Sequence, residues 1–209
     1  MSFHHVRRLA LLAALGALAA CGSGGGSGAQ QAIDPAVRAF VQDVRVIEKN
    51  DHVLVLDTEK GMIAIELRTT KAPITAQAIE ALAAKKFYDG LTFHRVEKNF
   101  LVQTGDPSGG TGAPSGAKKI PLEINADLTN GIKGAVGMAR PEDDRNGADS
   151  QFYILLAPKP SLDGTYAVFG QVVKGMDVAE KIEQGDRIRT AVVVQGLPEQ
   201  PKSPAPAAQ

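Results

Sequence analysis

The chain has 209 residues, 23 basic and 23 acidic side chains, and no tryptophan. That length suits one folded domain with extra segments, and 44% hydrophobic with 22% charged residues is enough apolar material for a real core. The body of the chain has no basic block, which argues against nucleic acid as a partner because counterion release needs clustered Lys and Arg; the single cysteine, Cys21, leaves no internal disulfide and no cysteine-based metal cluster.

In chain order, residues 1–8 carry Arg7 and Arg8, and residues 9–20 are an unbroken run of Leu, Ala and Gly. A basic start followed by such a run is the pattern of an export signal, and it is shorter than the roughly 20 residues of a membrane-spanning helix. Leu18-Ala19-Ala20-Cys21 resembles a bacterial lipobox, in which the cysteine is diacylated and becomes the new N-terminus; Ala17-Leu18-Ala19 would otherwise serve as an ordinary cleavage site. The expectation is a signal peptide over 1–20, lipidation at Cys21 and a flexible Gly/Ser-rich linker over 21–33. The mature protein is then exported to the periplasmic side of the envelope. Gly22 is not the Asp associated with inner-membrane retention, so the outer membrane is the expected destination.

Residues 34–49 form a short helix or stalk: Asp34-Pro35 is a helix start, and Val37, Phe40, Val41 and Val44 share one side of a helix over about 35–46. The regular pattern occupies residues 50–197. His52–Arg68 reads as two strands joined near Gly61, with Val53, Val55, Met62, Ala64 and Glu66 alternating with Leu54, Ile63, Ile65 and Leu67. Pro73 opens a helix on which Ile74, Ala78, Ile79 and Leu82 recur at helical spacing. Short apolar runs then alternate with glycine-bearing turns, which suits an antiparallel barrel or sandwich. A second helix is expected at Met176–Glu183 and a last strand from Arg189. Residues 198–209 read as a disordered Pro/Ala-rich tail.

The body lacks a G-x-S-x-G elbow, a P-loop, an H-E-x-x-H pair and any Cys/His cluster, so a hydrolase would lack a nucleophile–base pair. What stands out is the stretch from Phe93 to Asp106, FHRVEKNFLVQTGD. It resembles, without a gap, the cyclophilin signature F-H-R-x-x-x-x-F-x-x-Q-x-G-D. Further blocks follow in that family's order: Gly109–Gly112, Gly137-Met138-Ala139-Arg140, Ser150–Ile154, Leu162-Asp163-Gly164 and Tyr166–Gly170. The resemblance implies a mainly-β fold, a closed eight-stranded antiparallel β-barrel capped by two α-helices. It also implies a peptidyl-prolyl cis/trans isomerase that needs no cofactor or metal. The partners would be proline-containing polypeptides, with membrane contact only through the lipid, and the protein would be a monomer.

By the same resemblance Arg95, Gln103 and Phe100 are the catalytic residues. Leu101, Gly110, Ala139, Arg140, Gln151, Tyr153, Leu162 and Tyr166 bind substrate. Arg95 would stabilise the twisted amide, Gln103 would orient it, and Phe100, Leu101, Tyr153 and Leu162 would form the slot for the proline ring. Taken singly these residues read more blandly: Arg95 as a solvated tip on a half-buried strand, Gln151 as a structural polar group, His94 as a satisfied structural histidine. The chain departs from the well-studied members at Tyr153 (commonly Phe), Ser161 (Trp), Tyr166 (His) and Arg140 (Asn). The Tyr153 hydroxyl must find a partner or water at the slot's edge, and Ser161 weakens the case for cyclosporin binding. A proline-peptide binding module with little turnover is the alternative activity.

Overall fold

The computed structural model describes residues 33–111 and 114–199; the expected signal, Cys21, nearly all of the linker and residues 200–209 lie outside the described residues. Among the described residues eight strands and a few short helices follow in the order α1 (Pro35–Val41), β1 (His52–Thr58), β2 (Gly61–Leu67), α2 (Pro73–Ala84), β3 (Arg95–Glu97), β4 (Leu101–Thr104), β5 (Ala135–Met138), β6 (Phe152–Leu155), a 3-10 turn at Pro160–Leu162, β7 (Val168–Lys174), α3 (Met176–Ala179) and β8 (Ile188–Val194). No helix among the described residues is long and apolar enough to cross a membrane.

All strand pairs are antiparallel, in the order β3-β4-β6-β5-β7-β2-β1-β8. The sheet curls but does not close, which corrects the expected closed barrel. β3 is only three residues long and forms no ladder with β8. The gap is spanned instead by irregular chain before each strand: Thr92 bridges Arg187, the Phe93 amide donates to Asp186, and the Ile188 amide donates to Leu91. The second expected helix is also shorter. After one turn, α3 gives way to i→i−3 bonds from Lys181 and Ile182, which tuck Ile182 into the core.

Period-two alternation explains what each face of the sheet does. One face carries the main core: Leu54 and Leu56 of β1, Ile63, Ile65 and Leu67 of β2, Val102, Val136, Ile154 and Phe169, with Ile79 of α2 against them. Tyr88, Phe152 and Phe169 run through it edge to face, with centroids 5.5 and 6.1 Å apart. The other face is covered in two patches. Over β1, β2 and β8 lie Val37, Val41, Val44 and Val46, packed on Val53, Val55, Ala64 and Val194. Asp34 caps α1 by accepting from the Ala36 amide at 2.7 Å, and Val46 donates to the Pro198 carbonyl at 3.0 Å. Residues 33–46 therefore lie along the sheet, which is why β1 is buried on both faces. The buried Glu66 accepts from the Ile47 amide and pairs with Arg68 at 3.2 Å. The second patch, over β4, β5 and β6, is the cleft described next.

Candidate active site

Strand register builds the cleft. Arg95 pairs with Gln103, Gln103 with Tyr153, and Tyr153 with Gly137, so these four positions form one row across β3, β4, β6 and β5, on the face away from the main core. Leu101 and Leu155 are opposite one another two residues along on the same face. The 3-10 turn then brings Leu162 and Tyr166 over the row, with the Tyr166 amide donating to the Leu162 carbonyl.

The result is a cleft of about 220 Å³. Its apolar wall is Phe100, Leu101, Tyr153, Leu162 and Tyr166, and Arg95, Gln103, Ala139 and Arg140 complete it. Two of the residues expected to bind substrate do not line the cleft itself. Gln151 lines an adjoining groove that shares Gln103, Ala139 and Arg140 with the cleft. Gly110 (φ +96°) sits against His94, whose Cβ would be 3.2 Å from a methyl placed there.

Polar contacts fix the guanidinium. Arg95 Nη1 donates to Gln103 Oε1 at 3.2 Å and Nε donates to Glu97 Oε1 at 2.8 Å, with Nη2 on that same oxygen. Gln103 Nε2 in turn donates to Gln151 Oε1 at 3.0 Å, so Gln151 acts on the site through Gln103. A guanidinium has five N–H groups; contacts among the described residues engage three of them and leave one on each terminal nitrogen. The group lies 6.0 Å from the centre of the Phe100 ring.

The floor is held from behind. The Tyr153 hydroxyl, expected at the slot's edge, points away from it and donates to Asn130 Oδ1 at 2.7 Å, in a buried contact. Burial, aided by the Tyr166 ring and the Asp163 charge, drives the Tyr153 pKa above its ordinary range, so the hydroxyl stays protonated and donates. Asn130 is held by Asp163, whose Oδ1 accepts from the Asn130 amide at 2.6 Å and from Nδ2 at 3.0 Å. Burial raises the Asp163 pKa, but hydrogen bonds from Thr129 and Asn130 outweigh it and hold the carboxyl below its ordinary value. Gly137 is bare because the Tyr153 ring lies across it: a Cβ there would sit 2.2 Å from the hydroxyl oxygen.

His94 is held below its ordinary pKa, first by burial and then by the Arg95 charge, against the pull of Asp106. It is therefore neutral near pH 7 and offers no charge to the cleft. Arg140 stacks over Tyr166 at 4.8 Å and donates to the carbonyls of Thr165, Pro141 and Glu142. No cluster of His, Cys, Asp and Glu that could hold a metal occurs among the described residues. Nothing here pairs a nucleophile with a base. The arrangement offers a fixed cationic donor at the mouth of an apolar slot.

Three participants were not singled out in the sequence. Glu97 lies two residues from Arg95, and strand alternation alone puts both on one face. Asn130 lies 23 residues from Tyr153 and carries no local signal. Lys159 places Nζ 5.5 Å from the centre of the Phe100 ring, a contact made only by folding.

A family model described as cyclophilin type peptidyl-prolyl cis-trans isomerase/CLD matches residues 53–200. The peptidyl-prolyl cis-trans isomerase-like 1 of Aspergillus oryzae is 41% identical over 128 residues, 60% of this chain and 78% of that protein. The isomerase ppi1 of Schizosaccharomyces pombe is 43% identical over 129 residues, 61% and 82% of the two chains. Among solved structures, a Cryptosporidium parvum cyclophilin type peptidyl-prolyl cis-trans isomerase superposes with a TM-score of 0.64 at 26% identity, covering 69% of this chain and 98% of that one. A second structure of that protein, determined in the presence of the dipeptide Ala-Pro, gives a TM-score of 0.62.

Proposed function

The chain belongs to the cyclophilin-type peptidyl-prolyl cis-trans isomerase family, and on that premise we propose that it accelerates rotation about X-Pro peptide bonds at the Arg95 cleft. The barrier to that rotation is about 18–20 kcal/mol, and the uncatalysed change takes tens to hundreds of seconds. No bond is made or broken, so no acid, base, metal or cofactor is required. The protein need only bind the half-rotated amide better than either planar form.

At half rotation the amide loses conjugation and the prolyl nitrogen gains a lone pair. The two free N–H groups of Arg95 are the donors for that nitrogen. Glu97 and Gln103 hold the guanidinium plane, so little reorientation is needed as the charge develops. Phe100, Leu101, Tyr153 and Leu162 hold the ring still while the preceding carbonyl swings. The adjoining groove beside Ala139, Arg140 and Gln151 takes the residues before proline. The observation that carries this reading is the in-register row Arg95–Gln103–Tyr153–Gly137, with the cation clamped at the edge of an apolar slot.

Two-dimensional exchange NMR on a short X-Pro peptide tests it. Catalytic amounts of the protein raise the exchange rate, and Phe100→Ala weakens the effect mainly through KM. Binding without faster exchange would establish a proline-binding module instead.

The N-terminus carries the second half of the reading. The tether is a diacylated Cys21, which holds the isomerase on the periplasmic side of the envelope, at the outer membrane, as a monomer acting on exported polypeptides. Supporting it are the basic start, the apolar run over 9–20, the only cysteine of the chain at the end of that run, and the Gly/Ser stretch after it. Mass spectrometry of the mature N-terminus tests it; an unmodified Cys21 overturns it.

A further inference from the structure

Each aromatic lip of the cleft carries a cation. Lys159 Nζ lies 5.5 Å from the centre of the Phe100 ring, and the Arg140 guanidinium lies 4.8 Å from that of Tyr166. Among the described residues neither is ion-paired to a carboxylate. Arg140 donates only to carbonyls. Asp144 feels its charge, but the Asp144 carboxylate is bonded to Lys119 at 2.7 Å.

Asp149 lines the adjoining groove with Arg140, but its carboxylate accepts from Ser115 and Ser150 rather than from Arg140. Glu97 is bound to Arg95, and Asp163 accepts from Thr129 and Asn130 behind the Tyr153 wall. The rim therefore presents two positive charges, kept in place by stacking on the rings that form the slot. A peptide whose proline enters the slot must lay its neighbouring residues across these lips.

We propose that Lys159 and Arg140 make the cleft select proline peptides bearing an acidic side chain beside the proline. This rests on the isomerase reading and names its substrate class. The charge of the protein as a whole does not explain such a preference, because its 23 acids balance its 23 bases; the selection is local to the rim. In water-like dielectric one cation at ~6 Å changes the binding of a carboxylate about threefold, and of an ammonium by the same factor in the other direction.

The test uses three peptides, Ala-Xaa-Pro-Xaa-Ala, with both Xaa positions Ala, Glu or Lys. Exchange NMR gives kcat/KM, and chemical-shift titration gives Kd. At ~10 mM salt the Glu peptide should exceed the Lys peptide at least about tenfold on both measures, and the ratio should approach one at ~1 M salt, where the Debye length is about 3 Å. In the Lys159→Gln/Arg140→Gln double variant it should fall towards one even at low salt. Each ratio is taken within one protein, so a general loss of turnover cancels. A ratio near one in the wild type at low salt, or one that survives in the double variant, overturns the proposal. Failure of the isomerase reading is distinct: the Ala peptide then binds without faster exchange, while the Kd ratio still decides the charge preference.

Discussion

Gly137→Ala is the most structurally constrained perturbation of the cleft. The added methyl would lie 2.2 Å from the Tyr153 hydroxyl oxygen and 2.4 Å from Cζ, where ordinary contact begins near 3.4 Å. The ring has little room to yield. Its hydroxyl is bonded to Asn130 at 2.7 Å, its edge meets Tyr166 with centroids 6.2 Å apart, and only 3% of the residue is exposed. If the ring swings into the cleft, the buried Asn130 oxygen loses its donor, at about 1–3 kcal/mol. If β5 shifts instead, overpacking costs about 1–3 kcal/mol. The expected loss is therefore roughly 1–3 kcal/mol by either route, a fall in Tm of about 2–12 °C for a domain of this size. A raised KM accompanies it, because the slot narrows. Urea denaturation and peptide exchange kinetics read both effects. In a Tyr153→Leu background the clashing atoms are gone, so Gly137→Ala should cost no more than about 0.5 kcal/mol beyond that substitution. An equal cost in both backgrounds would refute the assignment of Gly137 to the tyrosine ring.

Three further outcomes follow from the contacts described. Tyr153→Phe keeps the wall of the slot but leaves Asn130 Oδ1 buried without its donor, so stability falls by about 1–3 kcal/mol in urea denaturation while kcat/KM stays within about twofold. Asp163 is held below its ordinary pKa of 3.8 in the fold, so the stability it supplies is present above that value and is lost as pH falls through the lower folded value. Asp163→Asn should therefore flatten the acid limb of the stability curve below about pH 4, and an unchanged limb would remove Asp163 from the account. Val41→Asp puts a carboxylate into a position only 2% exposed. Residues 33–50 should then detach and become cleavable in limited proteolysis, while turnover persists because the cleft lies over other strands.

Local pattern made much of the fold legible. The alternation of Val53 and Val55 with Leu54 and Leu56 marks β1, and the structure gives each set its own apolar partners. Closure of the sheet was not legible, because it depends on whether Leu91–Phe93 meets residues 185–188 as a ladder or as scattered bonds. The one-turn length of α3 was missed for a similar reason: the pull of Ile182 into the core ends the helix early, and the flanking glycines do not encode it. Ordered motif blocks pointed to most of the cleft residues. They could not supply the Tyr153–Asn130–Asp163 chain, since each link joins residues 23 or more positions apart. The Tyr153 hydroxyl was misread for that reason: a side chain's direction follows from its partner, and the partner is remote. Glu97 was within reach of the sequence, because a carboxylate two residues from Arg95 on a strand shares its face.

The central claim is that the planar fork of Arg95, held by Glu97 and Gln103, donates to the nitrogen of a half-rotated amide. Arg95→Lys tests it most directly, since lysine keeps the charge but not the fork. A charge-assisted hydrogen bond contributes about 1.5–3 kcal/mol, so kcat/KM in the exchange assay should fall about 10- to 150-fold, close to the value for Arg95→Ala. An Arg95→Lys protein that retains more than half of the wild-type rate would contradict the account.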